Sequence, residues 1–436
     1  MINSVKVSRF YIQSFGCRAS QADGAALAST LTGRGLQRSS DANQVDLVIL
    51  NTCTVTSTAD EDVRQTIRRL HRASPQSRIL VTGCYAQRAP EELAALPGVA
   101  WVVGNSHKVS IPEILETSAA PYHGEIHVGD ISRQIEFLPA PVEEAAGDRT
   151  RPNLKVQDGC NNRCSFCIIP SVRGQSRSAP AEQVVEQVRM LGRRYREVVF
   201  SGINLGRWGR DLPERPRLSS LLRRLLEETE VERLRLSSIE PMDFSTELLD
   251  LMAASQRIAD FVHAPLQSGC DRVLRRMRRR YRTRHYADRV WTARRLMPGA
   301  AIGADVMAGF PGETDEEFEE SRAFIESLPF TYLHVFTYSE RPGTPAAESP
   351  EQVPMQVRRE RSHILRDLAA RKNLEFRRRF VGRTLSVVTL QDGTALSDNY
   401  LKVELTTPRS ANRIVDVEIG GVTAGGLRER TALPVL

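Results

Sequence analysis

The stretch that decides the fold runs Gln157-Asp158-Gly159-Cys160-Asn161-Asn162-Arg163-Cys164-Ser165-Phe166-Cys167. Three cysteines at C-x-x-x-C-x-x-C spacing lie close enough on one loop to curl round a single metal centre. A cubane iron–sulfur cluster has four irons, and four thiolates would close it. Three thiolates leave one iron open, as a catalytic metal site keeps a position for its substrate. A zinc knuckle or a disulfide pair is the competing reading. A structural zinc site wants a fourth ligand nearby, and no second C-x-x-C or H-x₃-H follows before Cys270. The cluster reading therefore ranks first.

Composition bounds what surrounds this loop. The chain has 436 residues, too long for one ordinary core, which predicts two or three domains. A hydrophobic content of 41% is that of a soluble globular protein. No apolar run approaches the roughly 18 residues that a membrane span needs, and MINSVKVSRF lacks the apolar core of a signal peptide, so the cytoplasm is expected. Seven cysteines, an odd number in such a chain, argue against a disulfide framework and for metal or redox chemistry. The net charge of +7 is compatible with a polyanionic partner.

Upstream of the loop, strand and helix alternate. A strand over Val5–Ser14 runs into Phe15-Gly16-Cys17, and a helix follows over Gln21–Gly33. A second apolar strand, Val45–Leu50, ends at Asn51-Thr52-Cys53. A helix over Ala59–Ala73 leads to a strand over Arg78–Val81, which ends at Thr82-Gly83-Cys84. Short apolar runs with intervening helices predict a parallel sheet with right-handed crossovers. All carboxyl ends of such a sheet share one edge, where open α/β sheets bind ligands. Cys17, Cys53 and Cys84 each fall just past a strand, so residues 36 and 31 positions apart are brought to that edge. Three buried structural cysteines are the plainer reading. Core packing does not ask that all three fall at strand ends behind Gly or Thr, so a second cluster site is expected. From Ala119 to Arg149 the text turns irregular, with Pro121, Pro139, Pro141 and Gly147, and reads as a linker with one short hairpin over Ile126–Phe137.

Downstream, strands are expected at Leu154–Gln157, Glu197–Phe200, Leu234–Ser237, Phe261–Ala264, Ala301–Met307 and Thr331–Phe336, with helices between them. Six βα units predict an open (βα)₆ barrel, whose working groups sit on the loops after the strands. The three cysteines follow the first strand. After the second, Ser201-Gly202-Ile203-Asn204 offers a glycine for close backbone approach and an amide that donates and accepts. After the third, Ser238 and Glu240 place a hydroxyl and a carboxylate at the barrel top, suited to a ribose hydroxyl or a cationic sulfonium. The fourth ends His263-Ala264-Pro265-Leu266-Gln267, and the fifth carries Asp305 before Gly309-Phe310-Pro311-Gly312-Glu313-Thr314, where Thr314 is placed to cap the next helix. Cys270 reads as structural. Asp271–Arg295 holds eleven arginines against two acids, with Tyr281, His285 and Trp291 as stacking surfaces. This points to phosphate contact through Arg278, Arg279 and Arg280, against the plainer reading of a solvated helix face. An Arg-rich helix over Met355–Phe380 leads to short strands at Thr384–Leu390, Tyr400–Glu404 and Ile414–Ile419, as in a small all-β barrel.

With an aromatic, Phe166, before the last cysteine, the loop resembles the signature of the radical S-adenosylmethionine (SAM) superfamily. "SFGCRASQAD", "NTCTVTSTAD" and "TGCYAQ" resemble the N-terminal domain of the methylthiotransferases. "SGIN", "HAPLQSG" and "GFPGET" resemble that family's barrel, and "ALSDNYLKVEL" resembles the TRAM domain, an OB-like tRNA-binding module. The organisation then expected is α/β. It comprises an N-terminal parallel-sheet domain (1–120), a linker (121–148), a radical SAM barrel (149–375) and a TRAM-like domain (376–436). The resemblance implies two 4Fe–4S clusters, one on Cys160, Cys164 and Cys167 whose open iron takes SAM, the other on Cys17, Cys53 and Cys84. It implies SAM-side contacts from Phe166, Ser201, Gly202, Asn204, Ser238, Glu240, His263, Gln267 and Asp305. As partners it implies tRNA, with Asn399 and Tyr400 among the contacts, and a reductant such as flavodoxin or ferredoxin; a monomer is expected. The chain departs from the family wording at Ala19-Ser20-Gln21, where Ser20 keeps a hydrogen-bonding group. "GCR-x-x-Q" and "NTCTVT" resemble most the MtaB-type branch, which acts on carbon 2 of the adenine in N6-threonylcarbamoyladenosine beside the tRNA anticodon. The isopentenyl-adenosine branch ranks second and the ribosomal-protein aspartate branch third. A non-catalytic iron–sulfur RNA-binding redox regulator is the alternative of another class.

Overall fold

The structure, a computed structural model, describes residues 7–117, 124–137 and 150–431. They fold as two compact units that interleave along the chain. One takes residues 1–146, 153–179 and 339–347, and the other takes 147–152, 180–338 and 348–436.

The first unit is built on β1 (Arg9–Ser14), β2 (Gln37–Arg38), β3 (Leu47–Thr52), β4 (Arg78–Gly83), β5 (Val99–Gly104) and β6 (Glu125–His127). They form one parallel sheet in the order β2-β1-β3-β4-β5-β6. β3 and β5 are buried along their whole length, as strands covered on both faces must be. Alternation along the chain divides the core in two. Leu47 and Ile49 pack with Leu27 and Leu31 of the helix Arg18–Gly33, while Val48 and Leu50 pack with Val63 and Ile67 of the helix Ser57–Ala73. The hairpin expected over residues 126–137 is not formed. β6 instead pairs in parallel with β5, and Asp130 then caps a single 3₁₀ turn, Ile131–Arg133, by accepting from the Ser132 amide. A three-residue edge strand carries too little pattern to be told from a hairpin arm. The rest of the expected linker lies outside the described residues. In the same unit β7 (Asn153–Asp158) and β8 (Arg177–Ser178) pair antiparallel, Gln157 with Ser178 and Asp158 with Arg177. They pinch the loop that carries Cys160, Cys164 and Cys167.

In the second unit β9 (Glu197–Gly202) and β10 (Arg233–Leu236) pair in parallel. β11 (Phe261–His263), β12 (Ala301–Ala308) and β13 (Tyr332–Thr337) form a parallel sheet in that order. Helices Ala181–Gly192, Leu218–Glu228, Thr246–Ala254, Thr283–Leu296 and Asp315–Ser327 separate these strands or lead into them, so the βα alternation is present. Thr314 caps its helix as expected, accepting from the Glu317 amide at 3.2 Å within a capping box. β10 reads Arg-Leu-Arg-Leu and is buried throughout, with both arginines paired to Glu197 on β9. The helix Met355–Arg378 then leads to a closed five-stranded barrel. Its strands are β14 (Thr384–Thr389), β15 (Thr394–Ser397), β16 (Lys402–Glu404), β17 (Ile414–Val422) and β18 (Leu427–Glu429), ordered β14-β15-β16-β18-β17. Its core is Val387, Ala395, Val403, Val417, Ile419 and Leu427, plugged by Phe376 and Phe380 from the end of the helix. Among the described residues no helix is long and apolar enough to cross a membrane.

Candidate functional site

All six cysteines of the two triplets belong to the first unit. Cys17, Cys84 and Cys160 each follow a glycine in the left-handed region: Gly16 at φ +83°, Gly83 at +100° and Gly159 at +68°. The chain therefore leaves each strand by a sharp turn that an L side chain resists. Gly16 is also held by contact, since a Cβ there would lie 2.4 Å from the Cys53 Cβ and 2.6 Å from its sulfur. This close approach brings the first and second strand ends together. Burial, with Cys84 and Cys17 close by, pushes the Cys53 thiol up to about 12. A metal group bound there would displace the thiol proton to solvent, its positive charge stabilising the thiolate. All seven cysteines are free thiols. Three converging thiols with a buried sulfur among them fit a cluster and give no support to a disulfide.

The second triplet sits on a tight loop. The Cys160 amide donates to the Gly174 carbonyl at 3.1 Å, the Asn162 amide to the Cys160 sulfur at 3.4 Å, and the Cys167 amide to the Cys164 carbonyl at 3.1 Å. The sulfurs are only partly buried, which leaves room for a metal group and its ligand. The segment Ser339–Ala347 straps this loop to the Cys53 loop. The Ala346 amide donates to the Ser165 carbonyl at 2.9 Å, and Arg341, 5% exposed at its side chain, donates to Asp60 Oδ2 at 2.6 Å and to the Thr54 carbonyl at 3.1 Å. Sequence reasoning missed this strap. Its Arg-Pro-Gly-Thr-Pro wording signals an irregular loop, but not what the loop holds.

Beneath the two loops lies a buried ionic cluster. Lys108 and Lys155 contact Asp23, and Lys155 also contacts Asp158 at 2.9 Å. Arg173 contacts Asp23 at 3.0 Å and Asp158 at 2.9 Å, and Arg177 stands 3.8 Å from Asp158. Burial by itself would raise Asp23, but Lys108, Lys155 and Arg173 hold its carboxyl down to about 2. These residues line a cavity of about 220 Å³ together with Asn105.

The second unit carries the remaining candidates. On β12 and β13, Ile302, Ala304, Val306 and Ala308 are buried, whereas Asp305, Met307, Tyr332, His334 and Phe336 are part-exposed or exposed. One face of this sheet is therefore covered by helices and the other is open. On the open face His263 Nε2 and His334 Nδ1 each lie 3.2 Å from Asp305 Oδ1, and the Tyr332 hydroxyl is 2.7 Å from His263 Nδ1. The carboxyl of Asp305 is held well below its usual range; burial opposes this, and the two imidazoles outweigh it. His334 was not expected from the sequence, since a histidine in an apolar strand carries no motif. Ser201 is 1% exposed, and its hydroxyl and that of Ser237 are buried with no hydrogen-bond partner among the described residues, so this end of β9 and β10 offers buried polar atoms to a ligand. Asn204 is buried in the turn after β9, and Ser238 and Glu240 follow β10. Gln267 adopts φ +66° as its loop laces onto β12, its amide donating to the Asp305 carbonyl at 2.8 Å. Cys270 is fully buried and donates to Glu320 Oε2 at 3.1 Å, in keeping with a structural thiol.

Four of the expected RNA contacts are turned inward. The Arg279 side chain is 5% exposed, ion-paired with Glu240 and stacked on Tyr281, so it is spent inside the fold. Tyr281 itself is buried, donating to the Leu266 carbonyl at 2.6 Å. Asn399 is buried, its amide donating to the Gly299 carbonyl at 3.1 Å, and Tyr400 packs on Phe261 with ring centroids 4.7 Å apart. Arg278, Arg280, His285 and Trp291 remain exposed.

Comparison with known proteins agrees with this layout. Residues 9–104 match the uncharacterized protein family UPF0004, and residues 154–325 match the radical SAM superfamily. The chain is 38% identical over 421 residues to the threonylcarbamoyladenosine tRNA methylthiotransferase MtaB of Bacillus subtilis, covering 93% of this chain and 92% of that protein. It is 34% identical to the tRNA-2-methylthio-N(6)-dimethylallyladenosine synthase of Thermobifida fusca, over 88% of this chain and 78% of that protein. The fold is also that of the radical SAM methyltransferase TsrM from Kitasatospora setae, with a TM-score of 0.55 at 16% identity, covering 78% of this chain and 76% of that one.

Proposed function

Since this chain belongs to the MtaB-type tRNA methylthiotransferases, we propose that it replaces the hydrogen on carbon 2 of N6-threonylcarbamoyladenosine, beside the anticodon of tRNA, with a methylthio group. The observation that carries this reading is the pair of cysteine triplets in one compact unit, both reached through left-handed glycine turns. Two clusters are part of the proposal, one on Cys160, Cys164 and Cys167, the other on Cys17, Cys53 and Cys84. When bound, they and SAM supply the radical chemistry and the sulfur that an unactivated aromatic C–H bond requires.

The chain's own residues do the positioning. The Asn162 amide steadies the Cys160 thiolate, and the strap around Arg341 keeps the Cys53 loop and the 160–167 loop in fixed relation. Ser201, Gly202, Asn204, Ser238 and Gln267 are assigned to SAM. The open face of β11–β13, with His263, Asp305 and His334 beside Met307 and Phe336, is assigned to the adenine and its N6 substituent: the Phe336 ring can stack on a base, and imidazoles hydrogen-bond to its edge. A reductant such as flavodoxin or ferredoxin, a cytoplasmic location and a monomeric state complete the proposal.

Mass spectrometry of tRNA nucleosides from a deletion strain tests it. Loss of 2-methylthio-N6-threonylcarbamoyladenosine, restored by the intact gene, is expected. Loss of the dimethylallyl nucleoside instead would move the chain to the other branch, and an unchanged nucleoside profile would defeat the enzyme reading.

A further inference from the structure

Arg173 ends the short helix Ile169–Arg173 behind the 160–167 loop and is 1% exposed at its side chain. Its guanidinium reaches four partners. Nη1 donates to Asp158 Oδ1 at 2.9 Å, and Nη2 to Ser20 Oγ at 3.1 Å and Asp23 Oδ2 at 3.0 Å. Nε donates to the Cys84 sulfur at 3.3 Å, and Asn105 Nδ2 approaches the same sulfur at 3.7 Å. Cys84 itself is packed against Ile168 and Val172, five residues and one residue before Arg173.

A buried ion pair alone does not account for this arrangement. Asp23 and Asp158 already offer two carboxylates to the guanidinium, and its two Nη groups take both. Yet three cations, Lys108, Lys155 and Arg173, contact those two carboxylates among the described residues. Uncompensated buried charge is costly, so the pocket calls for further negative charge. The Cys84 sulfur, a ligand of the proposed cluster, is already hydrogen-bonded to that guanidinium. A donor and a net positive surround on a ligating sulfur stabilise the more negative, reduced state of an iron–sulfur cluster and so raise its potential.

We propose that Arg173 is a positioning residue that fixes Cys84 for ligation and raises the reduction potential of the cluster on Cys17, Cys53 and Cys84, while tying it through Asp158 to the strand end that launches Cys160. This rests on the reading that the first triplet binds a cluster.

The test uses the full-length chain with Cys160→Ala, Cys164→Ala and Cys167→Ala, reconstituted anaerobically with iron and sulfide, so that only the first triplet contributes. Midpoint potential is read by an EPR-monitored titration, and iron by analysis. Arg173→Gln should keep the iron and lower the potential, Arg173→Lys should lower it less, and Asn105→Leu should give a smaller fall in the same direction. Should Arg173→Gln lose its cluster, Arg173→Lys and Asn105→Leu decide. Potentials and EPR line shape equal to the parent in every iron-bearing variant would overturn the inference alone. A parent without iron would overturn the second-cluster reading and this inference with it.

Discussion

Replacing Glu197 by glutamine should destabilise the second unit by an amount the structure allows one to work out. Glu197 is fully buried, its carboxylate taking Arg235 Nε at 2.7 Å and Nη2 at 3.1 Å, and Arg151 Nη1 at 3.1 Å, with Arg233 at 3.6 Å. Arg235 also donates to the Ser397 and Asp398 carbonyls at 3.0 and 2.8 Å, so the pair anchors the five-stranded barrel as well as β9 and β10. Burial pushes the Glu197 carboxyl up, and Arg235, Arg151 and Arg233 outweigh it, holding the carboxyl at about 2 against an ordinary 4.5. That gap corresponds to about 3 kcal/mol of stability, in line with the ~3–5 kcal/mol that breaking a buried ion pair costs. A domain of this size then loses about 6–12 °C in Tm. Because the folded carboxyl ionises more easily than the unfolded one, this stability is complete above about pH 4.5 and is lost as pH falls from there toward 2. Glu197→Gln, which cannot titrate, should therefore show its whole deficit at pH 7 and a deficit about 1 kcal/mol smaller at pH 4. Urea unfolding followed by circular dichroism at the two pH values measures both. A midpoint equal to the parent's at pH 7, or a deficit constant from pH 7 to 4, would refute the assignment of Glu197 as the ionised partner of these arginines.

Cys17→Ala, Cys53→Ala and Cys84→Ala together should halve the iron of the reconstituted chain, from about eight to about four per chain; a variant keeping all its iron removes the second cluster. Arg278→Ala with Arg280→Ala should weaken tRNA binding and lower the slope of log K against log salt by roughly one unit per lost phosphate contact, whereas Arg279→Ala should lower Tm through the orphaned Glu240; equal effects on binding from all three would contradict the inward placement of Arg279. Asp305→Asn, which takes the charge from between His263 and His334, should cut turnover on tRNA by about 10²-fold with iron content unchanged, and full activity would exclude the open face of β11–β13 from the site.

What the sequence determined by itself was whatever is local or periodic. Cys160, Cys164 and Cys167 share one loop, so spacing alone brings them together. Cys17, Cys53 and Cys84 are remote from one another, yet a parallel sheet sends every strand end to one edge, and periodicity suffices to place them there. The βα alternation of the second unit was legible for the same reason. What only the tertiary structure decided is which way a side chain faces and what it meets across long separations. Arg278, Arg279 and Arg280 look alike in the chain, but Arg279 alone has Glu240 to turn toward, 39 residues away. His334 joins His263 only because β12 lies between their strands. Asn399 reads as a ready RNA contact until Gly299 occupies its amide. The Nε of Arg173 finds a sulfur 89 residues upstream. Contacts of this kind depend on how whole elements pack. A buried charge is stable only beside partners that packing supplies, and no window of the sequence contains both.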